Sequence, residues 1–216
     1  MRKDTITVIV NEGITPEAYI QLINNNNLGL YILEAREKPI ITTESFDFVM
    51  DNGKIQQVGT PTEVFDMPIN LFVAEFIGAP KMNTFKTNLV TEGGKYYVAP
   101  YGAKIEVTGQ KADSLKEKGV QGGKITLGVR PEHFKLTDAN DPAAIACKIT
   151  VNEMMGSELH LHVVEDNGDK LIVRIPTVSL EDEQRKAMAY GNTIHITFEG
   201  KVMHFFDPET ETNLLV

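Results

Sequence analysis

The sequence predicts a mainly β protein that begins with a small α/β piece. From residue 83 onward, short runs rich in β-branched and aromatic residues recur at regular intervals, separated by glycine pairs, prolines and one Asp-Asn-Gly-Asp sequence. This spacing is typical of a β-barrel or a β-sandwich. Before residue 60, apolar strand-like runs flank one helix-like run. An apolar content of 42% is sufficient for a hydrophobic core.

The first 59 residues predict a β-α-β unit that ends in a hairpin. Thr15 and Pro16 are typical of a helix start, and four consecutive asparagines end the helix-like run. We therefore expect a strand, a helix and a strand at residues 5–10, 15–23 and 28–35. Residues 46–59 then predict two strands joined through Asp51-Asn52-Gly53, a sequence that favours a tight turn.

Residues 60–82 predict a helical connector. Thr60 and Pro61 are typical of a helix start, and Asp66-Met67-Pro68 divides the segment into two short helices. The second helix carries an apolar stripe of Leu71, Phe72, Phe76 and Ile77 and ends at Gly78-Ala79-Pro80. Two further helices are expected within the β region, at residues 112–119 and 179–191. The chain thus divides into residues 1–59, 60–82 and 83–216.

The charge and the apolar pattern argue against several classes of protein. A formal net charge of −9, with Lys and Arg scattered along the chain, does not favour a nucleic-acid partner. No run approaches the about 20 apolar residues of a membrane span, and residues 1–13 lack a signal-peptide pattern. We therefore expect a cytoplasmic protein without direct membrane insertion. Cys147 lies among apolar residues and is expected to be buried rather than nucleophilic.

The sequence carries no phosphate-binding loop. Such a loop requires Gly-Lys followed directly by Ser or Thr, because the lysine and the hydroxyl handle phosphate and Mg²⁺. Gly-Lys occurs at residues 53–54, 94–95, 123–124 and 200–201, and Ile, Tyr, Ile and Val follow it. We expect neither ATP hydrolysis by this chain alone nor a cofactor.

His160 and His162 alternate on one predicted strand and therefore face the same side. They could supply two ligands of a metal site, but the sequence offers no cluster that supplies a third. Histidines on the surface of the β domain are the simpler interpretation, and no metal site is expected.

Two polar segments are the candidates for a binding surface. Arg130, Glu132 and His133 follow an apolar strand at a proline corner, where they could anchor a ligand or partner. Alternatively, the corner is structural, and Arg130 and Glu132 satisfy backbone groups. The second segment contains Glu153, Ser157 and Glu158 around Gly156. Paired carboxylates could do acid–base chemistry, but a glycine bend between two strands explains the same pattern. These six residues are our candidates for ligand or partner binding, and no catalytic residue is expected.

Four spaced motifs together resemble the MalK-like ATPases of sugar ABC importers. They are VMDNGKIQQVGTPTEVFDMPINLFVAEFIGAPKMN from residue 49, GVRPEH from residue 128, EMMGSELHLHV from residue 153 and FFDPETETNLL from residue 205. They occur in the family's order and span most of the chain. The resemblance implies that residues 49–59 are the last hairpin of a nucleotide-binding domain, that 60–80 are connecting helices, and that 83–216 are the C-terminal regulatory domain.

In that family the regulatory domain is an OB-like β-barrel of the transport-associated (TOBE) type. It pairs two ATPase subunits and receives regulatory partners, such as a component of the phosphotransferase system or a transcription activator. The resemblance therefore implies a homodimer, contact with a full-length ABC ATPase and its permeases, and a place at the inner face of the membrane through that complex.

The first 48 residues depart from the family pattern. The P-loop, the Q-loop and the LSGGQ signature are absent, and residues 7–13 resemble a Walker B strand with Asn11 where the family has the Mg²⁺-binding aspartate. Residues 30–35 stand where the family has the strand before its switch histidine, which is missing. We therefore interpret residues 1–48 as a shortened remnant or a replacement.

The leading hypothesis is a non-catalytic regulatory and dimerisation module of a carbohydrate ABC transporter. The alternative is a small-molecule sensor that binds a sugar or an oxyanion directly in its β-barrel. A degenerate ATPase without a task is a third interpretation, against which the regular core pattern and the helix caps argue.

Overall fold

A computed structural model describes residues 5–9, 45–51 and 54–216. They form two compact units, which divide between Ile69 and Asn70. The helix predicted at 15–23 and the strand predicted at 28–35 lie outside the described residues.

The smaller unit contains a three-stranded antiparallel sheet in the order β1-β2-β3. Its elements are β1 (Thr5–Ile9), β2 (Ser45–Asp51), β3 (Lys54–Gly59) and helix α1 (Pro61–Asp66). The pairing of β2 with β3 confirms the hairpin predicted at residues 46–59.

Helix α1 begins with the predicted cap. The Thr60 hydroxyl accepts a hydrogen bond from the Glu63 amide at 3.3 Å, and a Glu63 carboxylate oxygen accepts one from the Thr60 amide at 2.8 Å. This reciprocal capping box satisfies two amides that the first turn leaves without helical partners. The helix ends at Asp66, as the Asp66-Met67-Pro68 break predicts.

The larger unit opens with helix α2 (Leu71–Phe76), capped by the Asn70 side chain, which accepts from the Val73 amide at 2.9 Å. The predicted apolar stripe differs from the buried face. Val73 and Ala74 are fully buried, whereas Leu71 and Phe72 are half-buried. The stripe residues Phe72 and Phe76 lie one turn apart, and their rings stack with centroids 5.7 Å apart.

Two five-stranded antiparallel sheets follow in the larger unit, in the orders β13-β7-β4-β5-β6 and β11-β10-β9-β12-β8. The strands of the first sheet are β4 (Asn83–Glu92), β5 (Lys95–Val98), β6 (Ile105–Glu106), β7 (Gly123–Val129) and β13 (His204–Phe206). Those of the second are β8 (Phe134–Leu136), β9 (Ile145–Met154), β10 (Glu158–Val164), β11 (Lys170–Pro176) and β12 (Thr193–Phe198).

Both sheets contribute to one hydrophobic core. Alternate residues of β10 and β11 are buried, because successive side chains of a strand point to opposite faces. Leu127 and Phe205 from the first sheet share this core with Ile149 and Leu161 from the second. Cys147 is also buried there, as expected. The predicted mainly β, OB-like architecture is confirmed.

The two helices predicted within the β region are present, but one is much shorter than expected. Helix α3 spans Gln110–Glu117, close to the predicted 112–119. Helix α4 spans only Asp182–Ala187 of the predicted 179–191. Met188 leaves the helical conformation and is buried, and its carbonyl accepts a hydrogen bond from the Asn152 side chain at 2.6 Å. Tertiary contacts with β9 therefore end the helix before its sequence pattern does.

Candidate functional site

Arg130 lies inside the larger unit. It follows β7 directly and precedes a 3₁₀ turn at Pro131–His133. Only 1% of its surface is exposed, and its guanidinium donates a hydrogen bond to the carbonyl of Ile77 at 2.8 Å. Arg130 therefore joins the end of β7 to the segment that follows α2. This geometry matches the structural interpretation of the corner, and it separates Arg130 from the exposed candidates.

Glu132 and Glu158 are brought together by a residue that sequence reasoning missed, Arg174 on β11. Both Nε and one terminal nitrogen of Arg174 donate to the same Glu158 oxygen, at 2.9 and 2.7 Å. The other terminal nitrogen lies 3.5 Å from a Glu132 oxygen. The Arg174 guanidinium thus connects strand β10 to the 3₁₀ turn. Its partners lie far from it in sequence, Glu158 by 16 residues and Glu132 by 42.

The two histidines of β10 extend this cluster. His160 lies directly opposite Arg174 on β11 and Glu153 on β9. Its Nε2 is 3.5 Å from a Glu158 oxygen, while the Nε2 of His162 is 3.3 Å from a Glu153 oxygen. Both rings face the same side of the sheet, as the alternation predicts. We call the outer face formed by Glu132, Glu153, Glu158, His160, His162 and Arg174 the β10 polar surface.

The electrostatics of this surface favour the ionised form of Glu158. Hydrogen bonds from the Arg174 guanidinium hold the pKa of Glu158 below its ordinary value, with a smaller contribution from His160. A general acid requires the opposite shift, towards neutral pH. The surface is therefore suited to recognition by charge and hydrogen bonding. Among the described residues, no group of three or more His, Cys, Asp or Glu side chains is arranged to hold a metal ion.

Ser157 lies in the turn between β9 and β10, beside Gly156, whose φ of +77° favours glycine. The Ser157 carbonyl accepts hydrogen bonds from the amide and the hydroxyl of Thr177, at 2.8 and 2.9 Å. These bonds bring the exposed Val178 next to the turn. His133, by contrast, is half-buried at the end of the 3₁₀ turn.

Next to the β10 polar surface is a cavity of about 550 Å³. Its walls come from the segment Lys81–Thr84 and from β9, β10 and β11. One wall is fixed by Asn83, whose side-chain amide donates to the Ile172 carbonyl and accepts from the Ile172 amide, both at 2.8 Å. His162 belongs to both features, since it lines the cavity and contacts Glu153.

Buried titratable groups inside the larger unit are not suited to chemistry at this surface. Burial raises the pKa of the Cys147 thiol to about 12, so the reactive thiolate is scarce at neutral pH. Burial also lowers the pKa of His204 to about 3, with smaller contributions from Lys111, Arg130 and His133.

Comparison with known proteins shows that two family models match this chain. Residues 78–134 match the MalK OB fold domain, and residues 127–206 match the TOBE domain. The class of the larger unit is therefore an OB and TOBE domain, with the corner at Arg130 in the overlap of the two matches.

Curated relatives are ATP-binding proteins of ABC transporters. The oligosaccharides import ATP-binding protein MsmX of Bacillus subtilis is 38% identical over 170 residues, which are 77% of this chain and 43% of that protein. The ABC transporter ATP-binding protein YurJ of the same organism is 36% identical over 76% of this chain and 43% of its own length. The sn-glycerol-3-phosphate import ATP-binding protein UgpC of Paraburkholderia xenovorans is 32% identical over 74% of this chain and 41% of its own length.

The larger unit therefore contains the MalK-type OB fold domain and the TOBE domain, and it is similar to part of the ATP-binding proteins of sugar ABC transporters. The chain spans about two-fifths of the length of the relatives named here. Among solved structures, the cytoplasmic molybdate-binding protein ModG, crystallised with molybdate, aligns with a TM-score of 0.47 and 11% identity over 58% of this chain and 96% of its own. Within the described ranges, none of the helices is long and apolar enough to cross a membrane.

Proposed function

We propose that this chain is a non-catalytic regulatory and dimerisation module of a carbohydrate ABC transporter. The observation that carries the proposal is the match of residues 78–206 to the OB and TOBE domains of sugar-importer ATP-binding proteins. Its partners are a second copy of the chain, the ATP-binding subunit and permeases of an importer, and a regulatory protein. The module acts on the inner side of the membrane through that complex.

The β10 polar surface is the proposed partner contact. Glu132, Glu153 and Glu158 present carboxylates there, and Ser157 lies in the adjoining turn. Met154 and Met155, which follow Glu153 in the sequence, have large apolar side chains that are each 58% exposed. Exposed apolar groups surrounded by polar residues are typical of protein–protein contacts. Arg130 and His133 have a different role in this proposal, since they position the corner that carries Glu132.

Measurement of the molar mass of the full chain by light scattering tests self-association. We expect twice the chain mass of 24.0 kDa. Substitutions Glu153→Lys and Met155→Glu should shift the mass to that of the monomer, because the first reverses a charge in the contact and the second places a desolvated carboxylate there. Lys124→Glu, an exposed residue of β7 in the other sheet, is the matched control. A monomeric mass at every protein concentration would contradict dimerisation.

The second candidate function is direct sensing of a small molecule. The cavity beside the β10 polar surface favours it, because its volume of about 550 Å³ lies within the about 300–1,000 Å³ of ordinary small-molecule sites. The cavity is lined by the start of β4 in the first sheet and by β9, β10 and β11 of the second, and the core residues Val163 and Leu171 contribute to its walls.

A further inference from the structure

The cavity beside the β10 polar surface is lined by basic and neutral side chains. Lys81 lines it from the segment before β4, Lys170 from β11 and His162 from β10. Of the described residues that line it, none is an aspartate or a glutamate. This lining differs from the chain as a whole, which carries nine more acidic than basic side chains. A basic cavity in an acidic protein indicates an anionic ligand.

The two lysines are available to a ligand. Lys81 contacts Glu75 at 3.2 Å, but 63% of the lysine side chain and 31% of the glutamate are exposed. Exposed pairs of this kind contribute little to stability and exchange readily. Lys170 makes no ion pair with any described residue. Both ammonium groups can therefore turn towards an anion without breaking a buried contact.

The remaining walls combine fixed polar groups with aliphatic surface. The Thr150 hydroxyl donates to the His162 carbonyl at 3.0 Å, and the Asn83 amide is held by Ile172. The position of the polar groups is thus set before a ligand binds, which lowers the cost of binding. Val151 and Ile172 both line the cavity and provide an apolar surface for the carbon skeleton of the ligand.

We propose that this cavity binds a small organic phosphate, of the size and chemistry of a hexose phosphate. Two ammonium groups match the charge of a phosphate monoester dianion, and Lys is a common binder of phosphate as a point charge. Hydroxyl and imidazole groups suit the sugar hydroxyls, while the aliphatic wall suits the apolar face of a sugar ring. This inference rests on the second candidate function and names its ligand class.

Isothermal titration calorimetry of the full chain with glucose 6-phosphate, glucose and inorganic phosphate tests the proposal. We expect glucose 6-phosphate to bind with a Kd at least about tenfold lower than either of the other two, a difference of about 1.4 kcal/mol. Lys81→Gln and Lys170→Gln should each raise that Kd by about tenfold or more. Lys148→Gln is the matched control, because Lys148 is exposed on the same face, opposite Val164, and does not line the cavity.

Four results would overturn the assignment. They are no binding of glucose 6-phosphate at millimolar concentration, equal binding of glucose, equal binding of inorganic phosphate, or a Kd that the Lys81 and Lys170 variants leave unchanged. Circular dichroism of each variant shows whether it is folded, and the two lysines are tested separately, so a single misfolded variant does not decide the outcome. Equal binding of glucose or of inorganic phosphate would overturn only the assignment to a hexose phosphate, because the chain would still bind a small molecule, whereas no binding of any of the three would also contradict direct sensing.

Discussion

Arg130 has the largest fully buried side chain among the described residues. Its hydrogen bond to the Ile77 carbonyl replaces water for both groups. Arg130→Ala should lower the free energy of unfolding by about 1–3 kcal/mol, because the part-buried Ile77 carbonyl loses its hydrogen-bond partner. Urea denaturation followed by circular dichroism measures the change.

Lys148→Ala, which removes an exposed cation, is the control for Arg130→Ala and should change the free energy of unfolding by no more than about 0.5 kcal/mol. Equal stability of the Arg130→Ala variant and the original chain would show that the corner does not depend on this contact. The role of Arg130 would then return to ligand or partner binding.

His204 predicts a pH dependence of stability. Its ring is buried, stacks on Phe206 and faces the positive field of Lys111, Arg130 and His133. These surroundings lower its pKa to about 3 from the ordinary 6.5. Below pH 6.5 the His204 ring binds a proton in the unfolded chain but stays neutral in the folded chain. The contribution of His204 to the free energy of unfolding is therefore complete above pH 6.5 and decreases as the pH falls towards 3.

Urea denaturation at pH 7, 6 and 5 tests this dependence, in a window above the ordinary pKa values of the carboxylates. His204 alone should contribute a loss approaching about 1.4 kcal/mol per pH unit at the acidic end of the window. His204→Phe should remove that slope, whereas His195→Gln on β12 should keep it. An unchanged slope in His204→Phe would mean that the ring is solvated.

The sequence predicts only those groupings of site residues that depend on neighbours in the chain. Glu153, Ser157 and Glu158 share one hairpin, so local reasoning was sufficient to group them. Arg174 was missed because only the register of β10 against β11 places it opposite His160. Arg130 was grouped with Glu132 by sequence proximity, but the proline corner directs one side chain inward and the other outward. The assignment of these residues to partner binding stays a prediction.

At the scale of elements, Asn83 joins the start of β4 to the edge strand β11. Its two hydrogen bonds satisfy the amide and the carbonyl of Ile172, which an edge strand would otherwise leave open. Asn83→Ala should accelerate amide hydrogen exchange at Ile172 and lower the free energy of unfolding by about 1–3 kcal/mol. Asn88→Ala, at an exposed position of the same strand, is the control. Unchanged exchange at Ile172 would contradict this role.

A close backbone approach predicts a second effect at this scale. A Cβ atom at Gly200 would lie 2.0 Å from the Glu106 carbonyl oxygen and 2.7 Å from the Thr108 amide. Gly200→Ala must displace β6 or the 3₁₀ turn at Gly200–Val202, and should cost about 1–3 kcal/mol. Gly123→Ala is the matched control, since no described atom lies within 4 Å of its Cβ position. Equal melting temperatures of the two variants would contradict the contact.

The elements whose signals are local were predicted well. The β2–β3 hairpin, the Thr60 cap of α1 and the break after Asp66 all follow from residues within a few positions of one another. Helix α4 was predicted too long because its end is set by burial of Met188 and by a contact with Asn152, 36 residues away. The division of the β region into two sheets likewise depends on pairings such as β4 with β7, which a single sequence does not reveal.

At the scale of the whole molecule, the chain combines a MalK-like OB and TOBE domain with a sequence that has no phosphate-binding loop. The division into residues 1–59, 60–82 and 83–216, and the interpretation of residues 1–48, stay predictions.

Affinity purification of the tagged chain from membranes of its source cells, read by mass spectrometry, tests the central claim most directly. We predict recovery of a sugar-importer ATP-binding protein together with its permease subunits, and a loss of that recovery with Glu153→Lys but not with Lys124→Glu. Purification of the folded chain without any importer subunit would contradict the proposed place in a transporter.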